Sequence, residues 1–170
     1  METYEIKRLT YEMIPDYMNV NIKAWNETYK GIVNSTFLEE IMKNKDYYIK
    51  RKQEKFNEND HDYVLYENGV PVGMTSVGKS RIPEFPDALE LQTLYLLNKV
   101  KNKGYGKFLF QYAVSILKEL GYKSMVVACL KDNLPANGFY KHMGGKLVFR
   151  RISQIGGEDL EENVYYYENI

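Results

Sequence analysis

The sequence predicts a mixed α/β fold in a single domain spanning residues 1–170. Three observations carry that prediction: a hairpin signal at Asn68-Gly69, a strand running through a glycine loop into a helix around "KNKGYGK", and a closing strand pair in "KLVFRRISQI" and "NVYYYEN". The 170 residues, 44% hydrophobic and 14% aromatic, suffice for one substantial core and are too few for two ordinary domains. No internal repeat, low-complexity tract or Gly/Pro/Ser-rich linker interrupts the chain.

In chain order, "YEIKRL" alternates like a short strand. From Pro15 to Lys30, Tyr17, Val20, Ile22, Trp25 and Tyr29 recur at mostly helical spacing, and Pro15 suits a first turn. After "KGIVN", Thr36 and Glu39 have capping-box spacing. Phe37, Leu38, Ile41 and Met42 then give the stripe of a second helix running past Tyr48. In "DYVLYENGVPVGMTSVGKS" two strand-like runs meet at Asn68-Gly69, a dipeptide suited to a turn with positive φ. A loop with Pro83 and Pro86 delivers the strand Leu89 to Leu97. Phe108, Leu109, Tyr112, Ala113, Ile116, Leu117 and Leu120 mark one face of a third helix, stopped by Gly121 as a left-handed cap. "KSMVVACL" reads as a buried strand, and Pro135 to Met143 as a short helix closed by Gly144-Gly145.

Charge narrows the partners. The 23 basic residues balance the 23 acidic ones, so no global field favours nucleic acid or a membrane surface, and neither is expected as a partner. With one cysteine, no apolar run of spanning length and an amino-terminal "METYEIKR" without an apolar core, the expected location is cytoplasmic. Cys129 lies mid-strand and reads as a buried, inert thiol. His61 and His142 are far apart and belong to no ligand cluster, so no metal is expected.

The glycine loop is the first candidate site. A strand that feeds a helix through glycines presents free backbone N–H groups at the helix's positive end, and Lys101, Lys103 and Lys107 add charge around it. Spacing alone fits both a phosphate site and a solvated turn. "GYGKFL" has no third glycine for a dinucleotide fingerprint, and no phosphate loop ending in Gly-Lys-Ser/Thr is present.

The segment "ELQTLYLLNKVKNKGYGKFLFQYAVSILKELGY", followed by "KDNLPANGFYKHMGGKLV", closely resembles the GNAT superfamily of N-acetyltransferases. Lys101, Gly104 and Gly106 fall on its Arg/Gln-x-x-Gly-x-Gly/Ala loop pattern, with Lys where Arg or Gln is usual. Asn133, Ala136, Phe139, Tyr140 and Gly144 match its second motif, and "AWNETYKGI" looks like its acceptor-side first helix. The resemblance implies a twisted, mostly antiparallel mixed sheet of about seven strands with about four helices and a splayed strand pair around acetyl-CoA. It implies that the backbone of the loop Lys101, Asn102, Lys103, Gly104, Tyr105, Gly106 and Lys107 holds the pyrophosphate. It puts Leu94, Tyr95 and Leu96 where a strand bulge frees backbone for the pantetheine arm. Asn133 and Asn137 would bond that arm or cap the short helix, and Trp25 and Tyr29 are core or acceptor-pocket wall.

Acetyl transfer to an amine needs the amine neutral, a place for charge on the thioester oxygen, and a proton for the departing thiolate. The family resemblance favours Glu90 as base over Asp87 or Glu84, the alternative being a sheet-edge surface glutamate. It places Tyr140 near the coenzyme sulfur; among 16 tyrosines, composition alone selects none. The expected function is N-acetylation of a primary amine on a small molecule or peptide. The alternative is an inactive coenzyme A-binding sensor, which would need neither Glu90 nor Tyr140. Asp87, Glu84, Glu39 and Glu40 could surround a cationic polyamine or be solvated charges. The chain is expected as a monomer or homodimer, with "NVYYYENI" able to supply aromatic contacts to a dimer interface.

Overall fold

Asn68 (φ 51°) and Gly69 (φ 79°) are both left-handed and close the hairpin between β2 (His61–Glu67) and β3 (Val70–Lys79). The computed structural model describes residues 3–170. Around the hairpin, β1 (Tyr4–Arg8) pairs with β2, and β4 (Leu89–Leu96) pairs with β3. Beyond these lie β5 (Met125–Leu130), β6 (Lys146–Ile155) and β7 (Glu158–Tyr167), giving a seven-stranded sheet in the order β1-β2-β3-β4-β5-β7-β6. Every pairing is antiparallel except β4 with β5. That parallel pair is joined at only two positions, Leu89 with Met125 and Glu90 with Val126. Past Glu90 the strands diverge, which is the splayed pair that the sequence led one to expect.

Five α-helices flank the sheet, one more than expected. Helix α1 (Ile14–Tyr29) carries Pro15 in its first turn and buries Ile14, Tyr17, Val20 and Ala24 with Val64, Tyr66 and Met74. The second predicted helix is two, α2 (Ser35–Lys43) and α3 (Lys45–Glu54). Asn44 separates them, because its backbone and side-chain N–H groups both donate to the Glu40 carbonyl at 2.9 Å and end α2 there. The cap also differs. Asn34, not Thr36, sits at the N-cap of α2, its Oδ1 accepting from Phe37 N–H at 3.2 Å.

Helix α4 (Tyr105–Glu119) bridges β4 to β5, and α5 (Leu134–His142) follows β5. Together they bury Phe110, Ala113, Leu117 and Tyr140 with Leu91, Met125, Val127, Tyr165 and Tyr167 on the sheet. Strand alternation separates this core from that of α1: on β2, Tyr63 faces one and Val64 the other. Leu120, expected on the apolar face of α4, is 42% exposed because it lies at the C-cap, where Gly121 (φ 83°) turns the chain away. Phe110, not marked as part of that face by the sequence, is buried in the core.

The tyrosine-rich end does not form the outward aromatic surface anticipated for a dimer. Tyr165 and Tyr167 are buried within the chain, donating hydrogen bonds to Asn137 Oδ1 (2.6 Å) and the Tyr140 carbonyl (2.7 Å), while Tyr166 stacks on Phe85. Among the described residues no helix is long and apolar enough to cross a membrane.

Candidate active site

The divergence of β4 from β5 opens a cleft of about 240 Å³. Leu94, Tyr95 and Leu96 form one wall, Ala128 and Cys129 the other, and Asn133, Phe139 and Tyr140 close it from the α5 side. The bulge in β4 lies earlier than expected. Ser76 pairs with Thr93 and Val77 with Leu91, so Gln92 has no β3 partner, whereas Leu94, Tyr95 and Leu96 keep regular register with Thr75, Met74 and Gly73. The Gln92 side chain lies over Gly78, where a Cβ would come within 2.7 Å of its Nε2. Thr75 Oγ1 donates to the Thr93 carbonyl at 2.8 Å, and the Ser76 and Thr93 hydroxyls lie 2.7 Å apart, pinning the strand beside the bulge. The 94–96 edge facing the cleft is therefore open because β5 has left it, and the bulge lies upstream of the opening.

At the mouth, Lys101 and Asn102 line the cleft. Asn102 (φ 65°) and Gly104 (φ 85°) take left-handed conformations that swing the chain into α4, with Gly104 as N-cap. The first-turn N–H groups of Gly106 and Lys107 have no carbonyl a turn below them, the arrangement that binds anions. A Cβ on Gly106 would meet Phe139 at 3.5 Å and Leu96 at 3.8 Å, so this glycine looks into the cleft between α5 and β4. Lys103 and Tyr105 face elsewhere: Lys103 pairs with Glu67 at 3.3 Å, and the buried Tyr105 donates its hydroxyl to the same carboxylate. Their side chains tie the loop to β2. Lys107 is exposed on the first turn.

A second pocket of about 260 Å³ shares Tyr29, Gln92, Tyr95 and Cys129 with the cleft and adds Trp25, Arg81, Glu90, Arg151 and Glu162. Trp25 and Tyr29 meet edge to face at 4.7 Å, and the Tyr29 and Tyr95 hydroxyls are 2.8 Å apart. Tyr29 is thus both core and wall, and Trp25 is a half-buried wall. Glu90 is only 4% exposed, unlike a surface glutamate. Its carboxylate accepts from Arg81 backbone N–H (2.8 Å), Nε–H (3.0 Å) and Nη2–H. Since a carboxylate offers about four lone-pair sites, roughly one remains for the pocket. Asp87, Glu84, Glu39 and Glu40 line neither cavity. The charged residues that sequence reasoning missed are Arg81, Arg151 and Glu162.

Residues 22–144 match the model of the acetyltransferase (GNAT) family. The chain belongs to that family. This GNAT enzyme is 26% identical over 160 residues to an uncharacterized N-acetyltransferase, YuaI, of Bacillus subtilis, covering 92% of this chain and 88% of that one. Its fold is that of the PaiA N-acetyltransferase of Thermoplasma acidophilum, solved with coenzyme A (TM-score 0.71, 21% identity, 98% and 99% of the two chains). A GCN5-related N-acetyltransferase of Rhodopseudomonas palustris superimposes with a TM-score of 0.76 at 17% identity over 98% and 96% of the chains. As a GNAT acyltransferase the enzyme takes its acetyl group from acetyl-CoA.

The cleft suits that donor: an open strand edge, a Cβ-free approach at Gly106 and an anion-binding helix end lie along one path. Gly106→Val is expected to weaken acetyl-CoA binding by roughly tenfold or more, about 1.4 kcal/mol, in calorimetric titration. The fold should hold, since the added Cβ makes only ordinary contacts; Gly104→Val should also cost stability through its left-handed φ. Unchanged coenzyme affinity in both variants would return the loop to a solvated turn.

Tyr140 is 6% exposed and lines the cleft, and its carbonyl accepts from the Tyr167 hydroxyl and from Gly145 N–H. Burial holds this phenol well above the ordinary tyrosine range, and Cys129, Tyr95 and Tyr167 push the same way. Burial likewise raises the Cys129 thiol to about 12, with Glu162 adding and Lys141 opposing, so it stays a thiol at neutral pH. Asn133 combines both of its expected positions: Oδ1 accepts from Ala136 N–H at 3.3 Å as the α5 cap, and the residue lines the cleft.

Asn137 is a correction. It is buried off the cleft, and its amide is fully engaged. Nδ2 donates to the carbonyls of Leu130, Lys131 and Asn133, and Oδ1 accepts from Asn163 Nδ2 (2.7 Å) and the Tyr165 hydroxyl. No capacity remains for pantetheine, and the side chain instead locks α5 to β5 and β7. Asn137→Leu should therefore destabilise the fold by roughly 1–3 kcal/mol for each partner left unsatisfied, read in denaturant unfolding. An unchanged midpoint would remove this network from the supports of the site.

Proposed function

We propose that the enzyme acetylates a primary amine of a small molecule or peptide directly, with Glu90 as base and Tyr140 as acid. The observation that carries this reading is Tyr140 on the cleft wall, its phenol kept protonated by burial, with the pocket of Glu90 joined to that cleft through Tyr29, Gln92, Tyr95 and Cys129. Acetyl-CoA supplies the acyl group as a thioester. Glu90 takes a proton from the incoming amine through its remaining lone pair as the N–C bond forms, and Tyr140 gives its proton to sulfur as the C–S bond breaks. Solvent then removes the proton from Glu90 and restores the one on Tyr140. The open edge of Leu94, Tyr95 and Leu96 holds the pantetheine arm, and the Lys101–Lys107 loop takes the pyrophosphate. A thiol at Cys129 favours direct transfer over an acyl-cysteine route.

The test mixes the protein and acetyl-CoA with a panel of amines and follows free thiol. Amine-dependent release supports the reading. Tight coenzyme binding with no release for any amine overturns it.

A further inference from the structure

We infer that the acceptor is a small zwitterion, an amine that also carries a carboxylate, as in an amino acid or short peptide; this rests on the function proposed above. The pocket beside the cleft holds four charged side chains. Arg81 pairs with Glu90, and Arg151 pairs with Glu162 through Nε–H and Oε1 at 3.2 Å. Two positive and two negative charges leave the pocket without net charge. A polyamine, with several ammonium groups, meets no net negative field there. An acceptor with one charge of each sign leaves the balance intact.

Depth orders the charges. The carboxylate side chains of Glu90 and Glu162 are 5% and 15% exposed, whereas the side chains of Arg81 and Arg151 are 67% and 36% exposed. The acids are the more buried members of the two pairs, Glu162 close enough to Cys129 to raise its thiol, and the guanidinium groups are the more exposed. An amine directed inward meets carboxylates, and a carboxylate trailing it meets arginines. Donor capacity allows this. A guanidinium has five N–H donors in a fixed fork. Arg81 spends two side-chain donors on Glu90 and Arg151 spends Nε–H on Glu162, so both retain donors for a carboxylate from the acceptor. The two arginines also come from separate parts of the sheet, one following β3 and one on β6, and converge on the same small space. At about 260 Å³ the pocket falls below the roughly 300–1,000 Å³ typical of sites for drug-sized ligands, which favours a compact acceptor.

The experiment compares kcat/KM, by thiol release, for amino acids and dipeptides against their methyl esters and against spermidine. Esterification removes the carboxylate and leaves the amine, which is then more readily neutral, so any amine-only enzyme would favour the ester. The expected result is a preference for the free acid of at least about tenfold, about 1.4 kcal/mol, from the loss of one charge-assisted contact, with spermidine poor. Arg151→Gln should abolish the preference without changing acetyl-CoA affinity, and Arg151→Lys should restore part of it. Equal or better turnover of the esters, or a preference for spermidine, would overturn the zwitterion while leaving direct transfer standing. A preference that survives Arg151→Gln and Arg81→Gln alike would also overturn it. Coenzyme binding without thiol release for any amine would remove the transfer chemistry and this inference together.

Discussion

Tyr140→Phe is expected to lower kcat by about 10² to 10⁴-fold while leaving acetyl-CoA affinity unchanged, the span typical for loss of one proton-transfer group. The substitution is clean because the contacts that position this residue use its backbone. Its carbonyl accepts from Tyr167 Oη–H and from Gly145 N–H, and neither bond involves the phenol oxygen removed. The defect should be the same at every pH in the ordinary assay range. Burial raises the phenol well above the ordinary tyrosine range, so the wild-type group stays protonated throughout and high pH offers the variant nothing. Steady-state kcat against pH, with calorimetric titration of the coenzyme, reads both parts. A wild-type kcat would mean that the thiolate leaves without this phenol.

Glu90→Gln is expected to depress kcat/KM by a similar factor of about 10² to 10⁴ where the free amine is mostly protonated, and to recover as pH rises and solution supplies neutral amine. The opposite pH behaviour of the two variants distinguishes a base for the amine from an acid for the thiolate. Glutamine has a second consequence. Its NH₂ cannot accept from Arg81, so the loop that Glu90 holds through the Arg81 backbone N–H loosens. Coenzyme affinity and thermal unfolding measured on the same variant separate that effect from chemistry. A wild-type pH profile would pass the base to water or to Glu162.

Signals confined to a few residues were legible in the sequence. Asn68-Gly69, Gly121 and Gly144 each turn the chain with positive φ where glycine or asparagine predicts it, and the strands and the four helix patterns fall between such marks. Features that depend on distant partners were not. Nothing local distinguishes Asn34 from Thr36 as a cap, and the break at Asn44 follows from one asparagine closing on Glu40. The bulge at Gln92 is a matter of register against β3, which no local pattern in β4 announces. In the site, resemblance pointed to Glu90, but Arg81 was invisible because a loop of no fixed pattern returns it to the strand. Arg151 and Glu162 were readable: counting outward from Gly156-Gly157 sets them opposite each other on β6 and β7. Asn137 sits within the same motif as Asn133, and only the packing of α5 on β5 and β7 shows that one amide faces the cleft and the other the interior.

The two-rung junction of β4 and β5 divides the sheet into two half-sheets joined along one short line. One half is the antiparallel run from β1 to β4, and the other is the β5, β7 and β6 trio. Beyond those two rungs the facing edges of β4 and β5 leave main-chain groups that a partner with amides of its own can meet. A ligand that extends along that edge completes the weave, so stability forgone at the seam during folding reappears as affinity when the seam is filled. On the binding path proposed above, the donor takes the place of an added strand beside β4.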